Sequence, residues 1–228
     1  MLIFMDITLN QIGLWILYIL LPLLALYIIY LILTRAFRYM GFSSLEAVII
    51  VFVSFLFGFE IIIFGFNISN IYLFSYENWR VGINMGGAII PILLSIYLTI
   101  KKKIPIKKIL IGILIVAIIA FFVTRPVAER GIIASFPYWL LPAFFASLVS
   151  VILLWKDFIK AAPFAYISGT IGVLIGADFF HLPELLSYST EKVTNAVIGG
   201  ADVFDIIFIT GIIAVILDSV IMFRQRPK

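Results

Sequence analysis

Between Ile12 and Thr34 the chain carries no charged residue. A helix that crosses about 30 Å of hydrocarbon at 1.5 Å per residue needs about 20 apolar residues, so such runs read as membrane spans. Seven are found, running from Ile12 to Thr34, Ala47 to Phe66, Val81 to Ile100, Ile109 to Val123, Phe136 to Trp155, Pro163 to Ala177 and Val203 to Phe223. In the last, only twelve uncharged residues separate Asp205 from Asp218, so at least one carboxylate reaches the bilayer or its edge. With 64% hydrophobic and 12% charged residues, against roughly 45–50% and 25% in soluble domains, an all-α integral membrane protein is expected. The absence of cysteine excludes a disulfide scaffold and a thiolate-ligated metal protein. Met1 to Met5 lacks a basic n-region, so no cleaved signal peptide is expected.

Lysine and arginine accumulate in cytoplasmic loops and assign the sides of the membrane. Alternate loops hold Arg35 and Arg38, then Lys101, Lys102, Lys103, Lys107 and Lys108, then Lys156 and Lys160, then Arg224, Arg226 and Lys228, twelve of the sixteen cations. Arg80, Arg125, Arg130 and Lys192 fall on the other side. The N-terminus is therefore expected outside and the C-terminus inside, with residues 1–228 forming one transmembrane domain. Asp6, Glu77, Glu129, Asp178, Glu184, Glu191, Asp202 and Asp205 fall at the outer face, Glu46, Asp157 and Asp218 toward the inner one, and Glu60 within the second span. The net charge of +4 is thus explained by topology and does not point to nucleic acid.

Two internal echoes share one order. Met85-Gly86-Gly87-Ala88 opens the third span as Ile198-Gly199-Gly200-Ala201 opens the seventh, and Gly58-Phe59-Glu60 ends the second as Gly176-Ala177-Asp178 ends the sixth. An offset of four spans preserves direction, which predicts parallel repeats over 12–100 and 132–223 joined by an inverting linker helix at 106–124. The alternative is coincidence among the glycines that membrane helices use for close packing.

Paired glycines lower helix propensity and expose backbone groups, so Gly86 with Gly87 and Gly199 with Gly200 are expected to break their helices. Asn84 offers an amide beside the first break, as a ligand or as a helix cap. Glu60, in the apolar stretch from Ala47 to Tyr76, is expected to face the bundle interior, unless the span ends near it. Asp178 and His181, three apart, share a helix face, so the only histidine could tune the acid in a proton relay or simply cap the helix, which Pro183 should end shortly afterwards. Asp202 and Asp205 are three apart at a helix N-terminus, where the dipole favours carboxylates. Together with Asp178 and Glu60 they suggest an acidic site near the outer face. Oxygen ligands of this kind suit a proton or a hard cation, and no other cofactor or metal is implied. Pro137 and Pro142 should kink the fifth span, and Arg125 and Glu129 can pair in the loop before it. No nucleotide loop, Ser/His/Asp arrangement or zinc signature is present.

Gly199-Gly200-Ala201-Asp202 resembles the glycine, any residue, hydrophobic residue, aspartate motif of archaeal preflagellin and prepilin peptidases, which are membrane aspartyl proteases. That resemblance implies a second aspartate, for which Asp178 is the neighbour, although those enzymes cut on the cytoplasmic side and both acids here are expected outside. A broader resemblance rests on Asn84 to Ala88 with Pro91, Leu141-Pro142-Ala143, the stretch from Ala165 to Asp178, and Gly199 to Ala201 with Phe204-Asp205 and Thr210-Gly211. In these the chain looks like a prokaryotic integral-membrane family of unknown function, in which glycine commonly stands at the position of Asp202. This departure shifts weight to Asp178 and Asp205.

Three functions follow as expectations. The first is a small transporter or proton- or cation-coupled carrier of the cell membrane using Glu60, Asp178 and Asp205, with the lipid bilayer and a small solute or ion as partners. SWEET-like sugar carriers share the three, one, three arrangement of spans as an analogy of architecture. The second is an intramembrane aspartyl protease using Asp178 with Asp202 or Asp205. The third is a noncatalytic membrane assembly subunit. Nothing in the sequence sets an oligomeric state.

Overall fold

The computed structural model describes residues 9–128, 130–155, 157–200 and 206–223. Helix α1 (Leu9–Met40) leads into α2 (Ser44–Leu56), the hairpin β1 (Ile62–Ile63) and β2 (Phe66–Asn67), and a second hairpin of β3 (Asn70–Tyr76) and β4 (Trp79–Asn84). A π-helical turn (Met85–Ile89) runs into α3 (Ile90–Lys102), then α4 (Ile106–Val123) and the hairpin β5 (Thr124–Val127) and β6 (Gly131–Ala134). A 3₁₀ turn (Tyr138–Leu140) opens α5 (Leu141–Leu154), followed by α6 (Phe158–Val173), a second π-helical turn (Leu174–Phe179), α7 (Phe180–Leu186), β7 (Thr194–Ile198) and α8 (Ile206–Phe223).

Four helical segments are long and apolar enough to cross a membrane: Leu14–Met40, Met85–Lys102, Ile106–Val123 and Ile159–Leu186. Ser44–Leu56, Tyr138–Leu154 and Ile207–Ile221 are shorter apolar helices. The seven fall at the seven apolar runs of the sequence, but their boundaries differ in ways that matter.

The second run is the largest correction. Helix α2 starts on a capping box, the Ser43 N–H donating to Glu46 at 2.6 Å and the Glu46 N–H to Ser43 at 3.2 Å. It ends at Leu56, giving about 20 Å of helix, too short to span the hydrocarbon alone. The rest of the run, Ile61-Ile62-Ile63-Phe64-Gly65-Phe66, is β-branched and aromatic and folds as a hairpin whose tip, Phe64-Gly65, has positive φ at both residues. Similarly, Val81 to Asn84 is strand, and the third helix begins only at Met85. The all-α expectation therefore gives way to a mainly helical protein with three small sheets among the described residues. The sixth run exceeds its expected end, since helix continues through the second π-helical turn and past Pro183 to Leu186.

Helix α6 is the centre of the bundle. Each residue from Ala161 to Thr170 is buried, and the helix packs against α3, α4, α5 and α8. Its small residues make this possible, because they let helix backbones approach closely. A Cβ on Gly172 would stand 2.6 Å from Val116, and one on Gly176 would collide with the carbonyl oxygen of Ala117. In contrast, α1 is exposed from Leu14 to Tyr30 and joins the core through Leu33, Ala36, Phe37 and Met40.

The bundle has two distinct ends. At one, the tight connections between α1 and α2, α3 and α4, and α5 and α6 gather, with Lys102 against Gly41 and Lys108 donating to the Leu153 carbonyl at 2.7 Å. At the other lies the sheet β3-β4-β7. There β4 pairs antiparallel with β3 and parallel with β7, from Trp79 opposite Thr194 to Ile83 opposite Ile198. Buried Trp79 donates from Nε1 to the Tyr188 carbonyl at 2.9 Å, and Asn78 donates to that of Thr190 at 2.7 Å, fixing the chain that leads into β7.

Candidate functional site

The two parallel strands deliver both glycine pairs to the same place. After β4, Gly86 and Gly87 lie in the π-helical turn that opens α3; after β7, Gly199 and Gly200 form a turn with φ +85° and +74°. The two motifs touch: a Cβ on Gly199 would stand 2.7 Å from the Ala88 nitrogen and 3.0 Å from the Gly87 carbonyl carbon. A Cβ on Gly86 would collide with the Ser54 carbonyl oxygen and lie 3.0 Å from the Gly58 nitrogen, so α2 also ends against this junction. Backbone irregularity thus marks both pairs, as a π-helical turn in the first and a left-handed turn in the second, not as interruptions within helices.

Asp178 completes the junction from the third direction. It lies half-buried in the π-helical turn Leu174–Phe179, and its Oδ2 accepts a 2.6 Å hydrogen bond from the Gly199 N–H. A π-helical turn holds one more residue than an α-turn, a geometry common at functional sites. The extra residue also explains why the expected pairing with His181 does not form. His181 turns toward α4, where its Nε2 meets the Phe121 carbonyl at 3.0 Å and its ring stacks on Phe121 at 4.5 Å between centroids. Its Nδ1 is 3.6 Å from Glu184. No hydrogen bond joins it to Asp178 among the described residues, so the two do not form a relay by direct contact.

Asn84 is the cap of the first π-helical turn. Its Oδ1 accepts from the Gly87 N–H at 2.8 Å, while its amide donates to Asn70 at 2.7 Å and to the Phe57 carbonyl at 3.2 Å. One buried side chain therefore holds together the end of α2, strand β3 and the start of α3. Replacing it by Ala removes a cap and leaves buried groups unpaired, for an expected loss of about 2 kcal/mol. Asn84→Asp keeps the cap acceptor but sets a second oxygen against two acceptors, and should lose at least as much; thermal unfolding in detergent reads both.

Glu60 does not join the site. It lies beyond the end of α2, exposed, and accepts from the Asn67 amide at 2.8 Å. Asn67 Oδ1 in turn accepts from the N–H groups of Ser69 and Asn70, at 3.1 and 2.9 Å. This Asx turn organises the loop into β3, and the acid belongs to it, not to the bundle interior. Asp202, Asp205 and Glu129 lie outside the described residues. Among the described residues no group of three or more His, Asp or Glu is arranged to hold a metal ion.

A further polar set lies within the bundle, of which the sequence singles out Asp218 alone. Ser147 and Ser150 of α5, Tyr166 and Thr170 of α6, and Thr210 and Asp218 of α8 are all buried. The signal was present as hydroxyls at helical spacing within apolar runs, on faces whose direction the sequence does not fix.

A family model described as a protein of unknown function, DUF1614, matches residues 58–217, more than half of the chain, and the protein belongs to that family. The matched stretch includes both glycine pairs, Asn84 and Asp178. Comparison with curated proteins and with solved structures gives no match.

Proposed function

We propose that this member of the DUF1614 family is a small carrier of the cell membrane that couples movement of a solute to a proton, or to a hard cation in its place, at Asp178. The carrying observation is the 2.6 Å bond from the Gly199 N–H to the Asp178 carboxylate, made where the central helix meets both glycine junctions. A charge-assisted bond of this kind is roughly twice as strong as its neutral counterpart. Neutralising Asp178 therefore weakens the tie between α6 and the turn leading to α8, and that turn rests on Ala88 at the head of α3. Loading the acid in this way loosens the contact between two halves of the bundle, which is the coupling a carrier needs.

In this reading the chain crosses the bilayer seven times, with the lysine-rich end of the bundle inside and the sheet end outside. Residues 12–100 and 132–223 are parallel repeats around the linker helix 106–124. Support comes from the parallel pairing of β4 with β7, each running on into a glycine pair. The repeats have diverged at their acids, since Glu60 is a loop residue and Asp178 a junction residue.

The test is proton flux in proteoliposomes under an imposed pH gradient, parent beside Asp178→Asn. Flux in the parent and its loss in the variant are expected. Equal flux in both, or none in the parent, would overturn the reading. A second reading is favoured by one observation: Gly199, the partner of Asp178, is three residues before Asp202, so an aspartyl pair could form for peptide hydrolysis. Cleavage of a membrane peptide that Asp178→Asn abolishes, without any flux, would select it.

A further inference from the structure

The interface of α5, α6 and α8 holds polar groups that packing does not explain. Asp218, 1% exposed, leaves Oδ1 without a hydrogen-bond partner among the described residues, as do the hydroxyls of Ser147 and Thr210, while the buried hydroxyls of Tyr166 and Thr170 face one another. Buried polar groups are nearly always paired, and a carboxylate oxygen left unpaired within an apolar bundle is costly, so several such groups on three touching helices call for a functional cause. They are also close to one another. Ser150 stands beside the Asp218 carboxylate and donates to the Ala161 carbonyl at 2.8 Å. Tyr166 and Thr170 are adjacent on one face of α6, and a Cβ on Gly211 would touch both. A Cβ on Gly169 would lie 3.4 Å from Ala146, next to Ser147, and 3.5 Å from Thr210.

We infer that Asp218 is a second proton-accepting group, at the lysine-rich end of the bundle, and that these hydroxyls form the file by which a proton reaches it. The inference rests on the carrier reading and adds the inner half of the path. Thr210 and Asp218 are eight residues, about 12 Å, apart on α8, a gap that Ser147 and Ser150 divide from α5. Asp178 stands the same eight residues beyond Thr170, in the π-helical turn that continues α6. A hydroxyl both donates and accepts, so it passes a proton along without holding a charge itself.

Charged neighbours do not supply another explanation. Among the described residues α5 carries no ionisable group, and Lys160 of α6 is paired with Asp157 at 2.8 Å. Tyr166 is the remaining ionisable group on α6, and Arg35, Arg38 and the tyrosines of α1 are exposed or half-buried. None of these cations forms an ion pair with Asp218 among the described residues.

Two measurements on the full chain test this. Infrared difference spectra between high and low pH should contain a protonated-carboxyl band that Asp218→Asn removes and Asp178→Asn leaves in place. In proteoliposomes Asp218→Asn should lower proton flux at least tenfold, with recovery in Asp218→Glu. Tyr166→Phe combined with Thr210→Val should do the same with little loss of thermal stability, because the Thr210 hydroxyl has no partner among the described residues and that of Tyr166 faces one other hydroxyl, Thr170. Absence of an Asp218 band, or parental flux in Asp218→Asn or in the double variant, would overturn the inference. If the parent shows no flux, the carrier reading fails, and the infrared band alone still decides whether Asp218 takes up a proton.

Discussion

Gly199→Ala is expected to lower the stability of the protein by about 3 kcal/mol, combining the ~1–2 kcal/mol of a left-handed backbone at an ordinary residue with the ~1–3 kcal/mol of overpacking. Both terms come from the same atom. At φ +85° a Cβ is unfavourable against its own backbone, and it would also enter the space of Ala88 and the carbonyl carbon of Gly87. Gly65 separates the two effects, since its φ is +83° and nothing lies within 4 Å of its missing Cβ. Gly65→Ala should therefore lose only the backbone part, about 1 kcal/mol. Thermal unfolding of both variants in one detergent reads the difference. Equal losses would mean that the Gly199 turn does not press on the head of α3, and the coupling between the two glycine junctions would go with it.

How far such a junction is legible in a sequence depends on the physics of each part. Charge-free runs locate helices because hydrocarbon forces backbone groups to pair within the segment, and all seven runs hold one. The same argument fails from Ile61 to Phe66, where an apolar run satisfies its backbone across a hairpin and hydropathy cannot tell the two apart. Glu60 lies past the helix end for that reason, the second of the two places the sequence leaves open for it. The pairing of Asp178 with His181 failed differently, because spacing arguments assume an α-helical turn and the residues 174–179 are π-helical. The glycine pairs are legible as backbone irregularities, yet their meeting requires the parallel pairing of β4 with β7, a contact across more than a hundred residues with no local signature. Asn84 was legible in kind, an amide capping a helix start, while its two further bonds depend on where α2 ends.

Asp178 offers the sharpest separation of structural from functional effects, because of its two obvious replacements one keeps a hydrogen-bond acceptor and the other does not. Asp178→Asn keeps an oxygen where Oδ2 accepts from the Gly199 N–H, so the junction should hold with a neutral bond in place of a charge-assisted one. Asp178→Ala removes the acceptor and leaves that N–H unpaired, for an expected loss of about 1–3 kcal/mol. Both variants remove the ionisable group, so both should abolish proton flux, but only the Ala variant should unfold markedly earlier in detergent. A structural role alone predicts another pattern, with flux following stability, near parental in Asn and reduced in Ala. The order of the two variants on the two measurements therefore decides whether the carboxylate of the central helix holds the glycine turn in place or also releases it.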